Sequence, residues 1–107
     1  MAEVPSYADL QAAIGQPCRL IGESGASCQA SLIAVPVLDA LDDSYTCYAA
    51  VVRLESGVDA HQANYQFVLP DWRSWPLMFT PGRLDVDGRR TMSAVIHVRS
   101  GAFSALS

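Results

Sequence analysis

The chain has 107 residues, of which 50% are hydrophobic and 17% charged, and its formal net charge is −4. These values are typical of one globular domain that buries a core without metal or disulfide cross-links, and they exclude a disordered chain. Nucleic-acid binders and proteins of anionic membrane surfaces need a basic surface, whereas here seven scattered arginines face eleven acidic residues.

No apolar run approaches the roughly 20 residues that a membrane-spanning helix requires. The first ten residues, MAEVPSYADL, show neither the basic segment nor the apolar segment of a signal peptide. The three cysteines, Cys18, Cys28 and Cys47, are odd in number and widely spaced, which indicates reduced thiols. We therefore expect a cytoplasmic protein that binds neither nucleic acid nor membrane.

One short helix is predicted near the start of the chain, at residues 7–14. Ser6 and Asp9 have the spacing of a capping box, and Tyr7, Leu10 and Ile14 follow at helical intervals. Gly15 is a natural residue to end the helix. The apolar side of this helix should cover one end of the structure that follows.

The remainder of the chain alternates apolar and polar residues, which is typical of β-strands. Six strands are predicted, at residues 17–22, 27–35, 45–55, 63–69, 75–80 and 91–99. A loop at 36–44, a long turn region at 81–90 and a fraying tail at about 100–107 complete the chain. Close strand spacing favours an antiparallel meander, closed as a barrel or packed as a sandwich, in a single domain spanning 1–107. Its small inward residues should leave little room for a large cavity.

Residues 22–26, Gly-Glu-Ser-Gly-Ala, approximate the nucleophile elbow of serine hydrolases. That motif requires a helix after the serine, but the residues after Ala26 alternate like a strand, so a hairpin turn is the better interpretation. His61 and His97 have no acidic neighbour that would mark a catalytic base. No catalytic residue is predicted, and the chain is expected not to be an enzyme.

No metal site or cofactor is predicted either. Cys28 should point inward and His97 outward, so these two potential ligands should not meet, and zinc needs three or four converging ligands. Residues 85–88, Asp-Val-Asp-Gly, resemble the start of a calcium loop, but no terminal glutamate follows. A hairpin turn is the better interpretation of this segment as well.

The segment around Trp72, Arg73 and Trp75 is the predicted binding site. Tryptophan combines a large apolar face with one hydrogen-bond donor, which suits protein interfaces and stacking on sugars. The alternative is structural, with one indole covering a barrel end and the other lying at its rim. If the site is functional, it binds either a protein or, with Arg73 as donor, a small ligand such as a carbohydrate.

Several short motifs resemble a bacterial family of short domains of unknown function. In the helix region the family has Leu and Gly-Gln, which correspond to Leu10 and Gly15-Gln16. Gln62-Ala63-Asn64-Tyr65 stands in place of Gln-Gly-x-Tyr, and Met78-Phe79-Thr80-Pro81 resembles an apolar strand end that finishes in proline. Residues 92–97, after Gly88, resemble the final Tyr-Glu-Ala-Val-Phe-Asn-like strand. The chain departs from the family pattern at three positions, with Ala63 for glycine, Met92 for tyrosine and Ser93 for glutamate.

The resemblance implies a mostly β domain with one N-terminal helix and no assigned catalytic residues. It also implies an accessory or assembly role beside phage-tail-collar-like proteins. We therefore expect a protein-interaction module, with a small-ligand or carbohydrate-binding β-domain as the alternative. Self-association into a homo-oligomer is compatible with residues 45–55, which are apolar on both faces.

Overall fold

The structure is a computed structural model that describes residues 4–38, 45–58 and 60–99, apart from the side chains of Tyr45, Val98 and Arg99. The predicted tail, 100–107, lies outside the described residues, as do residues 39–44 of the predicted loop. The described residues form one helix and seven strands: α1 Tyr7–Ala13, β1 Pro17–Gly22, β2 Ser27–Ala34, β3 Val37–Leu38, β4 Tyr45–Leu54, β5 Ala63–Val68, β6 Ser74–Leu84 and β7 Arg90–Arg99.

The strands form a closed antiparallel barrel, which confirms the predicted fold class. Of the two predicted alternatives, a barrel and a sandwich, the structure is the barrel. Around the barrel the order is β1, β2, β4, β7, β6 and β5, and β5 pairs with β1 to close the ring. The short strand β3 pairs beside β2 on the same edge of β4. The prediction of a meander was wrong, because β4 and β5 follow each other in the chain but lie on opposite sides of the ring.

The two ends of the barrel are built differently. At one end, called the capped end, α1 packs against the barrel, and the β5–β6 turn lies beside it. At the other, called the open end, lie the β1–β2 turn, the β6–β7 turn and the described residues of the β4–β5 connection, 55–58 and 60–62. Since this connection joins strands on opposite sides of the ring, it has to cross the open end.

Helix α1 forms as predicted, and its caps explain where it begins and ends. The Ser6 hydroxyl accepts a 3.0 Å hydrogen bond from the Asp9 N–H, and Gly15 takes a φ of +89° after the last turn. Hydrogen bonds join Gly15 and Gln16 to the backbone of Leu32 in β2. The buried side chains of Leu10 and Ala13 then close the capped end of the barrel.

The barrel core follows the predicted alternation. Tyr65, Phe67, Trp75 and Phe79 form an aromatic column along β5 and β6, with ring centroids 5.8–6.4 Å apart. The mainly aliphatic residues predicted to point inward on β2 and β7 are also buried: Ala30, Leu32, Met92, Ala94 and Ile96. Because the aromatic rings fill much of the barrel interior, the smaller residues decide where space remains.

Two boundaries differ from the predictions. Residues 37–38 of the predicted loop form β3, and β6 continues through the predicted Pro81-Gly82 turn to Leu84. There the pairing of β6 with β7 shifts register between Pro81 and Leu84. A Cβ on Gly82 would approach the Thr91 hydroxyl to 2.9 Å, so this dipeptide marks a close strand contact at a bulge rather than a turn.

Leu10→Ala should lower the free energy of unfolding by about 2–5 kcal/mol, because it leaves a cavity between α1 and the barrel. Leu10 is 0% exposed, and urea denaturation followed by circular dichroism measures the loss. Val86→Ala, at a fully exposed site, is the control and should change stability by less than about 0.5 kcal/mol. Equal stability of the two variants would contradict the role assigned to α1.

Candidate functional site

Three turns of the barrel share one hydrogen-bond pattern. In the turns at 22–26, 69–73 and 85–89, the first N–H donates to the fifth carbonyl and the fourth N–H donates to the first carbonyl, at 2.8–3.0 Å. This pattern needs its fourth residue in the left-handed region, which glycine enters without steric cost. Two of the turns place glycine there, Gly25 with a φ of +89° and Gly88 with a φ of +78°. The hairpin interpretation of both of these segments is confirmed.

Trp72 occupies the same fourth position in the turn at 69–73, hereafter the Trp72 turn. Its φ is +72°, and it is the one non-glycine residue with a positive φ in the described part of the chain. The left-handed conformation costs roughly 1–2 kcal/mol for a residue with a Cβ. The indole is also 79% exposed, so burial of the side chain offsets little of this conformational cost. A strained, solvent-facing aromatic residue is a feature that points to function.

The second tryptophan lies in a different environment. Trp75 is 8% exposed, and its ring stacks against Phe67 in the core at a centroid distance of 6.4 Å. The two indoles therefore do not form one continuous surface. Of the two roles weighed from the sequence, Trp75 has the structural one, and Trp72 alone presents an aromatic face to solvent.

Arg73 connects the Trp72 turn to the helix. Its guanidinium donates to the Asp71 carboxylate and to the Asp9 carboxylate, each at 2.7 Å, and its carbon lies 5.9 Å from the centre of the Trp75 ring. The Asp71 carboxylate also accepts a 3.1 Å hydrogen bond from the Arg73 N–H. The guanidinium therefore braces the turn against the first turn of α1 and over a core side chain.

This brace changes the ionisation of all three groups. Hydrogen bonds to Asp9 and then to Asp71 raise the pKa of Arg73. The Arg73 N–H and guanidinium lower the pKa of Asp71. Burial opposes ionisation of Asp9, but hydrogen bonds from Arg73 and Ser6 outweigh it and lower the pKa of that carboxyl. At neutral pH the brace is thus fully charged.

Shallow grooves flank the Trp72 turn on both sides. One, of about 200 Å³, lies between Trp72, Pro70 and the outer surface of β1 and β5, where Arg19 and Val68 line it. The other, of about 260 Å³, lies between the turn and α1, with Asp9, Gln16 and Arg73 on its walls. Trp72 itself lines only the first depression, both depressions have mixed polar and apolar walls, and each is too small to enclose a metabolite of ordinary size.

The open end of the barrel contains a groove of about 710 Å³. The groove is open to solvent at the end of the barrel, so it differs from the large cavity for which the inward small residues were expected to leave little room. Gly22, Ala26, Ala60 and Ala63 line the groove, and none of them is long enough to fill the space beneath the β4–β5 connection. We call this depression the open-end groove.

The open-end groove gathers Ser24, Cys28 and His61, together with Glu23. Local sequence did not predict this juxtaposition, because the residues come from the β1–β2 turn and the β4–β5 connection. No hydrogen bond joins any two of their side chains in the described part of the chain, whereas an activated nucleophile requires contact with its base. Burial, and then the charge of Glu55, raise the pKa of the Cys28 thiol, which keeps it protonated and weakly nucleophilic.

The other cysteines and histidine form no recognisable centre. Burial raises the pKa of Cys18 to about 12, which suits an inert core thiol. His97 is exposed, as predicted, but its Nε2 lies 3.9 Å from the Cys47 sulfur, a cross-strand contact that only the β4–β7 register reveals. Among residues 4–38, 45–58 and 60–99, no group of three or more metal-ligating side chains converges.

Asp85 stabilises the turn at 85–89, whose sequence resembles the start of a calcium loop. Its carboxylate accepts hydrogen bonds from the N–H groups of Asp87 and Arg89 and from the Arg53 guanidinium. Burial opposes ionisation, but these donors lower the pKa of Asp85. The carboxylate therefore stabilises the turn from inside and ties it to β4.

Comparison with known proteins gives no relative: no family model, no curated protein and no solved structure matches the chain. The resemblance to a bacterial family of unknown function therefore stays a prediction. In the described residues no helix is long and apolar enough to cross a membrane. The assignment of function rests on the geometry of the Trp72 turn and the open-end groove.

Trp72→Gly should leave the free energy of unfolding unchanged or raise it by up to about 1 kcal/mol. Relief of the left-handed strain, roughly 1–2 kcal/mol, is partly offset by the greater freedom of glycine in the unfolded chain, about 0.5–1 kcal/mol. Gly88→Ala, at the equivalent position, should instead be destabilising, and Trp75→Ala should cost about 3–5 kcal/mol. Urea titration measures all three, and a clear loss of stability in Trp72→Gly would show that the indole serves folding.

Acid should weaken the brace. The pKa values of Asp9 and Asp71 are lowered in the folded protein from the ordinary 3.8. Their contribution to stability is therefore complete above about pH 4 and is lost as the pH falls through the lower, folded values. Asp9→Asn should reduce the dependence of unfolding free energy on pH below about pH 4. Asp87→Asn, which removes an exposed carboxylate from another turn, is the control and should retain the wild-type slope.

Proposed function

We propose that the chain is a non-enzymatic protein-interaction module and that the Trp72 turn is its contact surface. One observation carries the proposal: an exposed tryptophan occupies a backbone position that two equivalent turns give to glycine. Folding does not account for this choice, since glycine satisfies the same hydrogen bonds with less strain. Binding accounts for it, because an indole on a turn projects into a partner.

The chemistry of the turn suits a protein partner. Tryptophan and arginine are the residues that most often dominate the energy of protein interfaces, where polar groups around them exclude water. Here Asp71 and Arg73 supply a polar rim beside the indole. Because Arg73 holds the turn against α1, little conformational freedom remains to be lost on binding.

The alternative, a carbohydrate-binding site built on Trp72 and Trp75, has weaker support. Sugar stacking would use two exposed aromatic faces, and Trp75 offers none because its ring lies in the core. The grooves beside Trp72 are shallow, which favours a partner that covers the indole over a ligand that is enclosed by the protein. An assembly role beside phage-tail-like components is consistent with such a surface and remains a prediction from the resemblance.

If the Trp72 turn is the contact surface, Trp72→Gly should weaken partner binding without unfolding the barrel. Wild-type and variant chains are immobilised, and proteins retained from a bacterial lysate are quantified by mass spectrometry. A partner that uses the turn should bind Trp72→Gly more weakly by about 2 kcal/mol or more, which is roughly a thirtyfold change in Kd. Val86→Gly removes an apolar side chain of another turn and should bind like the wild type.

Two outcomes would count against the proposal. Retention of the same proteins by wild type and Trp72→Gly would remove the indole from the interface. Retention of no protein by the wild type, together with a monomeric mass by light scattering, would leave the exposed indole without a protein partner. A dimer that Trp72→Gly converts to monomer would identify the partner as a second copy of the chain.

A further inference from the structure

The open-end groove has the size and construction of a ligand site that is separate from the Trp72 turn. Its volume of about 710 Å³ lies within the range of about 300–1,000 Å³ that small-molecule sites occupy. The strand ends that line it carry small residues, Gly22, Ala26 and Ala63, which leave this space unfilled. The capped end, by contrast, is filled by Leu10 and Ala13 of α1.

The floor of the groove is apolar. Leu20 and Tyr65 are buried there, and Val58, Ala60 and Ala63 are half-buried against the same core cluster. The Tyr65 hydroxyl is already used, because it donates a 2.7 Å hydrogen bond to the His61 carbonyl. This bond fixes the ring and the end of the β4–β5 connection relative to each other, so the floor is pre-formed.

The rim of the groove is polar and unpaired. In the described residues the side chains of Glu23, Ser24, His61 and Asn64 form no hydrogen bond or ion pair with another group of the chain. They contribute a carboxylate, a hydroxyl, an imidazole and an amide around an apolar floor. Convergent polar groups of this kind fix the orientation of a ligand whose body is buried below them.

The charge of the groove selects among ligands. Glu23 lines the groove. Glu55 is close to Cys28, because its charge is the second cause, burial being the first, of the raised pKa of that thiol. No arginine lines the groove, and the chain has no lysine. Nearby arginines are committed elsewhere, since Arg53 pairs with Asp85 and Arg89 donates to the Leu54 carbonyl. An anion would meet unopposed negative charge here, whereas a cation would be attracted.

We propose that the open-end groove binds a small organic cation, namely a primary amine carried on an apolar or aromatic body. The body lies on Leu20 and Tyr65, and the ammonium group faces the Glu23 carboxylate and the Ser24 and Asn64 oxygens. An ammonium group offers three donors to these acceptors. The site lies at the opposite end of the barrel from the Trp72 turn and does not depend on the function proposed for that turn.

Tyramine is the probe, and two analogues of the same body are its controls: 4-ethylphenol, which lacks the amine, and 3-(4-hydroxyphenyl)propionate, which carries a negative charge. Each is titrated into the ¹⁵N-labelled full chain. Tyramine should shift the amide resonances of Gly22, Cys28 and Val58 saturably. 4-Ethylphenol should bind several-fold more weakly, and the propionate should cause no saturable shift.

Variants test the assignment of each part of the groove. Glu23→Gln should weaken tyramine binding by about two- to fivefold, the range expected for an exposed ion pair. Asp87→Asn removes one negative charge from another turn of the open end and should leave the affinity unchanged. Ala26→Trp, at an exposed lining position, should block the groove and abolish the shifts while the dispersion of the remaining spectrum shows a folded barrel.

The proposal has two parts, the amine class of the ligand and the location of the site, and each can be overturned separately. Equal affinity for tyramine and 4-ethylphenol, or an unchanged affinity in Glu23→Gln, would overturn the amine class. Absence of saturable shifts with tyramine, or shifts centred on the Trp72 turn, would overturn the site. None of these results bears on the lysate experiment, so the two proposals fail separately.

Discussion

Closure of the sheet between β1 and β5 is the constraint on which the rest of the structure depends. It places β4 and β5 on opposite sides of the ring, so the chain must cross one end of the barrel to connect them. The open end contains the open-end groove, and the helix fills the other end. The two candidate surfaces are consequences of this asymmetry, one at each end.

At the capped end, local and tertiary effects act on the same few residues. The hairpin pattern demands a left-handed residue at position 72, and packing of the turn against α1 lets a tryptophan remain there. The Arg73 guanidinium supplies that packing through Asp9, Asp71 and the face of Trp75. A strained backbone persists only where its surroundings hold it in place, and here the surroundings are two carboxylates and one ring.

At the open end, the same closure brings polar groups together that are distant in sequence. Ser24 and Cys28 come from the first hairpin, and His61 comes from the crossing connection. Their proximity without mutual hydrogen bonds, and the raised pKa of the thiol, suit recognition better than bond-making. The two proposed sites therefore differ in shape and chemistry: the groove is concave and lined by an acidic side chain, and the Trp72 turn projects an aromatic ring.

The sequence by itself determined six of the seven described strands, the helix with its Ser6 cap and the inward positions such as Phe67 and Met92, because alternation and capping are local properties. It also singled out the tryptophan segment. Tertiary structure alone decided the order of strands, the burial of Trp75 with the exposure of Trp72, and the open-end groove. These depend on which distant strands pair, and pairing is settled by the packing of the whole core rather than by any one segment.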